Sequence, residues 1–220
     1  MNESDSGLLR FQAHVRTRRD SSMRIRQRPD PYAGLVMRAK QGDRQALGDL
    51  MRALAPRLRG AARAVFGGDH ADVDDLVQES LLAVAGALRS FEGRSTILHY
   101  AYRITVRTCL AERRRMRRRQ ERVQLHESPE GLRSPEAAST ENVVAILRRN
   151  VLRRLLDELP GPQAETMALR VCLGMSLDEV AQATDAPTNT VRSRMRLARQ
   201  SLRRQIEDDD EARDLLEGWI

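Results

Sequence analysis

The sequence predicts an all-α protein of two small helical domains joined by a flexible linker. Three observations carry that prediction. Apolar residues recur at helical spacing along most of the chain, with no sustained strand-like alternation. Leu, Ala, Val and Arg dominate and aromatic residues make up only 3%. The stretch 123–142, around "QLHESPEGLRSPEAASTE", changes to small polar residues, two prolines and a glycine, the composition of a linker. At 220 residues the chain is long enough for two small domains.

Residues 1–31 read as a basic, flexible arm closed by two prolines, and Met23 offers a second translation start. "YAGLVMRAKQGD" predicts a short amphipathic helix ending at Gly42. "DRQALGDLMRALAPRLRGAARAVFGG" follows, with Ala46, Leu47, Leu50, Leu54, Leu58, Ala61, Ala62 and Val65 as its apolar face. Pro56 is expected to bend or interrupt this helix and Gly67-Gly68 to end it. In "HADVDDLVQESLLAVAGALRSFEG", Asp72 or Asp74 can cap a helix whose buried stripe is Leu76, Val77, Leu81, Val84 and Leu88. The loop "FEGRST" leads into "ILHYAYRITVRTCLAERRRMRRRQERV", a helix that ends in a dense arginine run. Beyond the linker, Val144, Leu147, Val151, Leu155 and Leu159 line one face of a further helix. Three more helices follow: "PQAETMALRVCLGM", "SLDEVAQAT" and "APTNTVRSRMRLARQSLRRQI". Ser176-x-x-Glu179 is a capping box at the start of the second of these. The boundaries are thus an arm at 1–31, a domain at 32–122, the linker at 123–142, a domain at 143–206 and an acidic tail at 207–220.

The formal net charge is +7 and the isoelectric point is about 10.5, with Lys40 as the only lysine. Such an excess favours a polyanionic partner, although arginine usage also follows genome composition. No apolar run approaches the ~18–20 residues that span a bilayer, and the N-terminus lacks the pattern of a secretory signal. Cys109 and Cys172 have no CxxC companion and read as free core thiols of a cytoplasmic protein. "HADVDD" matches no standard calcium loop or zinc set, and no metal or cofactor is expected.

The last helix pair carries the strongest chemical signal. A short capped helix, the tight turn "TDAPT" and a basic amphipathic second helix are the parts of a helix-turn-helix. On a helical wheel Arg196, Arg199 and Arg203 fall within roughly 40° of Arg192, while Val191, Met195, Ala198 and Leu202 form a separate apolar stripe. The second helix of such a unit reads the DNA major groove near its N-terminal end. Here that end offers Thr188, Asn189, Thr190, Arg192 and Ser193. Arginine can bond two acceptors of guanine and asparagine can do the same with adenine. Arg196, Arg199 and Arg203 suit phosphates better.

These residues carry a resemblance. "LDELPGPQAETMALRVCLGMSLDEVAQATDAPTNTVRSRMRLARQSLRR" resembles region four of extracytoplasmic-function sigma factors, and "DVDDLVQESLLAVAGALRSFEGRSTILHYAYRITVRTCLAERRR" resembles their region two. Both occur in the family's order across a linker. The resemblance implies a non-catalytic subunit that binds core RNA polymerase, recognises promoter DNA and helps open it. Region four is implied to read the −35 element through Thr188, Asn189, Thr190, Arg192, Ser193, Arg196 and Arg199. Region two is implied to read and melt the −10 element through Arg94, Ser95, Thr96, His99, Tyr100, Arg103 and Arg107, with Phe91 as a core anchor. Asp72, Asp75, Gln78 and Glu79 are implied to dock on a basic coiled coil of the largest polymerase subunit, where acidic and amide groups complement that partner. The linker is implied to thread into the polymerase near the RNA path, and an anti-sigma factor is the implied regulatory partner. The chain departs from the family at Tyr100, where tryptophan is common, and in "DAPTNTV", where Asp185 and Asn189 replace frequent glycines. Asp tolerates the left-handed geometry such a turn needs.

The run Arg113–Arg119 is expected to track phosphates or to complement the dipole of its helix. The acidic tail, Glu207 to Glu217, is either solvated or folded back on basic region four, where it would dampen DNA binding. A stand-alone helix-turn-helix regulator is the alternative function, and it has no need of "DVDDLVQES". An enzyme on nucleic acid is disfavoured, because no HExxH, nucleophile motif or phosphate-cradling loop occurs. A membrane-surface protein does not call for a helix-turn-helix.

Overall fold

The computed structural model describes residues 30–67, 72–124 and 140–216, and every regular element among them is helical. The first domain holds α1 (Ala33–Lys40), α2 (Arg44–Phe66), α3 (Val73–Ala87), a 3-10 turn (Leu88–Ser90) and α4 (Ile97–Gln124). The second holds α5 (Thr140–Glu158), α6 (Gly161–Met167), a π-helical turn (Ala168–Cys172), α7 (Leu177–Thr184), α8 (Thr188–Asp208) and α9 (Asp210–Leu216).

Local chemistry sets the boundaries. Gly42, at φ 95°, lets the chain leave α1 in a left-handed turn that a side chain resists. Asp43 then caps α2 by accepting from Ala46 N at 2.9 Å. Pro56 does not interrupt α2, which runs unbroken from Arg44 to Phe66. The side chain is exposed, so the carbonyl that loses its helical donor can turn to water. Gly67 closes the helix as expected; Gly68 lies outside the described residues. Asp72 occupies the N-cap position of α3 but makes no side-chain capping bond.

The apolar faces read from the sequence build the core. Leu50, Leu54, Leu58, Ala62, Val73, Leu76, Val77, Val84 and Leu88 are buried, and Leu47 and Leu81 pack half-buried against them. Val151, Leu155 and Leu159 are buried on α5, whereas Leu147, on the same stripe, is 42% exposed. Cys109 is buried and Cys172 largely so, both as free thiols. Burial pushes the Cys109 thiol up to about 12, which makes it a poor nucleophile.

The two domains share one apolar cluster: Leu159, Met167, Leu169 and Val180 of the second join Ile97, Val106 and Leu110 of the first. The acidic tail folds back on the second domain, though not over its arginine stripe. Glu207 and Asp208 finish α8, and Asp210–Leu216 form α9. Ala212 and Leu216 pack with Val151, Leu155 and Ile206 in a second cluster, while Asp209 and Glu211 hold Arg154 at 2.5 and 3.1 Å. The tail therefore closes the α5–α8 packing and leaves the arginine stripe of α8 uncovered. Trp219, the N-terminal arm and the linker core 125–139 lie outside the described residues.

Candidate nucleic-acid interface

The helix-turn-helix is built from α7 and α8. Its capping box is complete: Glu179 N donates to Ser176 Oγ at 3.1 Å and Ser176 N donates to Glu179 Oε2 at 2.7 Å. Asp185 closes α7 at φ 51°, ψ 46°, the left-handed geometry expected where glycine is frequent. Pro187 sits at the N-cap of α8, so the turn spends only a few residues. Val191, Met195 and Ala198 are buried, and Asn189, Arg192, Ser193, Arg196, Arg199 and Arg203 are exposed. Arg192 Nη1 donates to Asn189 Oδ1 at 3.0 Å. Among the described residues, no carboxylate pairs with Arg192, Arg196, Arg199 or Arg203. Thr188 is partly committed elsewhere: its hydroxyl donates to Asp178 Oδ1 at 3.1 Å and ties the start of α8 to α7. Thr190 is half-buried.

The second surface is the loop 91–96 with the first turns of α4. Lys40 Nζ donates to the Phe91 carbonyl at 2.7 Å and so anchors the loop to α1. Phe91 is buried and packs on Tyr100, ring centroids 5.0 Å apart at 50°. Ser95 bonds the Thr96 carbonyl, and Thr96 Oγ1 accepts from His99 N at 3.2 Å, so Thr96 acts as the cap of α4. Asp30 reinforces it by accepting from Ile97 N at 2.6 Å. Tyr100 is half-buried and Arg107 is exposed.

Three residues of this surface meet the second domain. Arg94 pairs with Asp185 at 2.5 Å as well as with Glu92 at 2.6 Å, and Asp185 raises the guanidinium above its ordinary pKa. Arg103 pairs with Glu165 at 2.9 Å and donates to the Ala183 carbonyl at 3.3 Å. His99 Nε2 lies 3.9 Å from Glu179, and its ring stacks near Tyr102. A cavity of about 230 Å³ lies between the domains, lined by Phe91, Arg94, Tyr100 and Arg103 on one side and by Gln182 and Asp185 on the other.

Much of the arginine run is engaged within the protein. Arg113 grips Asp157 through two bonds of 2.8 Å, with the side chains only 11% and 10% exposed, and also reaches the Val65 carbonyl. Arg114 donates to the Leu159 carbonyl at 3.0 Å. Arg115 and Arg119 pair with Glu112, and Arg117 with Glu158. Most of the run fastens α4 to itself and to α5. Sequence spacing shows none of this, because Arg113 and Asp157 are 44 positions apart and Arg94 and Asp185 are 91 apart.

The third surface is α3. Asp75, Gln78 and Glu79 are exposed on one side, and Asp72 is half-buried at the helix start. Asp74 is turned to Arg59 at 3.2 Å. Leu82, 67% exposed, was missed by the sequence reading. It lies two turns beyond Asp75 on the same stripe, so the helical wheel of α3 already placed it there.

Among the described residues no cluster of metal-ligating side chains occurs, and no helix is long and apolar enough to cross a membrane. The profile of the ECF sigma factor family matches residues 31–208, across both domains as far as the end of α8. The chain is 30% identical over 180 residues to the ECF RNA polymerase sigma-E factor of Salmonella typhimurium, spanning 79% of this chain and 93% of that protein. It is 29% identical to the protein of the same name from Escherichia coli K12, over the same shares of each chain. In fold it is similar to a solved structure of CnrH in complex with the cytosolic domain of CnrY, with a TM-score of 0.48 and 23% identity over 80% of this chain and 97% of that one. A match that spans both domains is not that of a lone helix-turn-helix regulator, and the chain belongs to the ECF family of RNA polymerase sigma factors.

Proposed function

We propose that this sigma factor reads promoter DNA with two separate surfaces and docks on polymerase with a third. The N-terminal half of α8 reads the −35 element through Asn189, Arg192 and Ser193, with Arg196 and Arg199 on phosphates and Thr188 and Thr190 in supporting positions. The loop 91–96 and the first turns of α4 read and open the −10 element through Arg94, Ser95, Thr96, His99, Tyr100, Arg103 and Arg107. Extruding a base costs a few kcal/mol, which stacking on Tyr100 and bonds to its edge offset. Asp75, Gln78 and Glu79, with Asp72 at the helix start, form the face for core polymerase. The protein works in the cytoplasm without catalysing covalent chemistry, under an anti-sigma factor that covers these faces.

The observation that carries this reading is α8 itself. A capped helix-turn-helix buries Val191, Met195 and Ala198 and leaves a stripe of arginines with no intramolecular counter-charge among the described residues. Uncompensated cations on a fixed helix face suit the negative charge of a phosphate backbone.

The test is reconstituted transcription. The purified protein is mixed with sigma-free bacterial core polymerase on the DNA upstream of its own gene. A defined transcript that requires both components is expected. Absence of core binding would overturn the assignment of the α3 face.

A further inference from the structure

We propose that Asp30 and Lys40 are positioning residues for promoter reading: the segment that ends in α1 clamps both ends of loop 91–96, and this clamp sets the discrimination at the −10 element. The inference rests on the reading of that loop as part of the −10 surface. Lys40 Nζ donates to the Phe91 carbonyl at 2.7 Å, where the loop leaves the 3-10 turn. Asp30 Oδ2 accepts from Ile97 N at 2.6 Å, where the loop enters α4. Each bond has a charged group on one side, which makes it stronger than a neutral one. The partners lie 51 and 67 positions apart, so sequence spacing shows neither bond.

The two anchors are stiff, whereas the loop between them has little backbone bonding of its own. Asp30 precedes Pro31, whose ring holds the neighbouring backbone extended, and its other oxygen accepts from Tyr32 N at 2.9 Å. Lys40 projects from α1, which is seated by buried Val36 and by Leu35 and Ala39 against the core. Among the described residues, none of 92–95 takes part in a backbone–backbone hydrogen bond. Gly93 adds a left-handed turn at φ 75°, and the ion pairs of Arg94 act on its side chain. The backbone that presents Arg94 and Ser95 is therefore placed by its ends. A freed end lets loop residues sample conformations that must be lost again on DNA. Re-ordering one such residue costs about tenfold in affinity. That cost falls on DNA that engages the loop and spares DNA that does not, so preference for the matched element narrows by the same factor.

The test uses the full chain with core polymerase. Lys40→Met and Asp30→Ala each remove one anchor, and Lys40→Arg keeps a charged donor. Arg94→Ala combined with Ser95→Ala alters the loop itself and serves as the benchmark. Transcripts are sequenced from two promoter libraries, one randomised across the −10 element and the other across the −35 element. Relative preferences do not depend on how much of the protein is active, so a variant that is merely less stable lowers the yield and leaves them unchanged. Lys40→Met is the decisive variant, because the side chain is exposed at the end of α1 and its loss does not threaten folding. Each anchor variant is expected to narrow the −10 preference about tenfold, with −35 preferences and core binding unchanged. Lys40→Arg is expected to retain the wild-type preferences. Unchanged −10 preferences in Lys40→Met, beside a benchmark that loses them, overturn the clamp and leave the loop reading in place. Equal shifts in both libraries overturn it as well, since a local anchor acts on one element. If the benchmark keeps its −10 preferences, the loop does not read that element, and the reading falls together with the clamp.

Discussion

Arg192→Ala separates base reading from general attraction to DNA. The side chain is exposed on the first turns of α8, and its one bond is to Asn189 Oδ1 at 3.0 Å, a single helical turn back. An exposed bond of that kind contributes at most about 1 kcal/mol to folding, and alanine favours the helix. The folded protein therefore barely notices the change. DNA binding notices it strongly if the guanidinium spans the two acceptors of a guanine. Loss of that contact costs about 1–3 kcal/mol of discrimination, or roughly 5- to 150-fold at one base pair. The assay is reconstituted transcription on promoters randomised across the −35 element, with sequencing of the transcripts. The expected outcome is relaxed preference at one position with little change elsewhere. Equal weakening on every sequence, with a shallower salt dependence, would refute the argument and make Arg192 a phosphate contact.

Two predictions concern the helix caps. Ser176→Ala removes the acceptor for Glu179 N and frees Glu179 from its own bond to Ser176 N. A loss of about 1 kcal/mol is expected, lowering the melting temperature by about 2–4 °C for a chain of this size, and Ser176→Thr restores most of it. The Asp43 carboxyl is held below its ordinary pKa, first by the bond from Ala46 N and then by the Arg38 guanidinium. Its folded pKa lies below its unfolded one, so its contribution is present above the ordinary carboxylate range and is lost as the pH falls through the folded pKa. Asp43→Asn keeps a capping oxygen but removes the titration. The variant is expected to lose less melting temperature than the wild type between pH 5 and strongly acidic buffer (about pH 2.5).

Legibility followed the range of the interactions. The starts and stops of α1, α2 and α7 were plain because a cap is a bond over three or four residues, as at Asp43 and Ser176. The buried stripes of α2 and α3 were plain because a helix repeats its face every few positions. That Pro56 leaves its helix unbroken was not legible, since its penalty depends on whether the freed carbonyl can reach solvent, and that is a property of the packed helix. Where the acidic tail seats was not legible, because its charge hides the Ala212–Leu216 spacing that packs it on α5. Among the candidate −35 residues, Asn189, Arg192, Ser193, Arg196 and Arg199 are exposed on α8, whereas Thr190 is half-buried and Thr188 closes the turn. The candidate −10 residues share one surface, yet Thr96 doubles as a cap and Arg94, His99 and Arg103 stand beside carboxylates of the second domain.

The amino-acid sequence alone determined the helical class, the two domains, the helix-turn-helix and the cations it offers. Each depends on bonds and periodicities that close within a few turns of chain. Only the tertiary structure decided which arginines remain free. Arg192, Arg196 and Arg199 face outward because α8 buries its other side, whereas Arg94, Arg103 and Arg113 meet carboxylates from the distant half of the chain. A charge carries no mark of its partner in its own neighbourhood. The shared apolar cluster brings the two domains together, and that contact sets the partners.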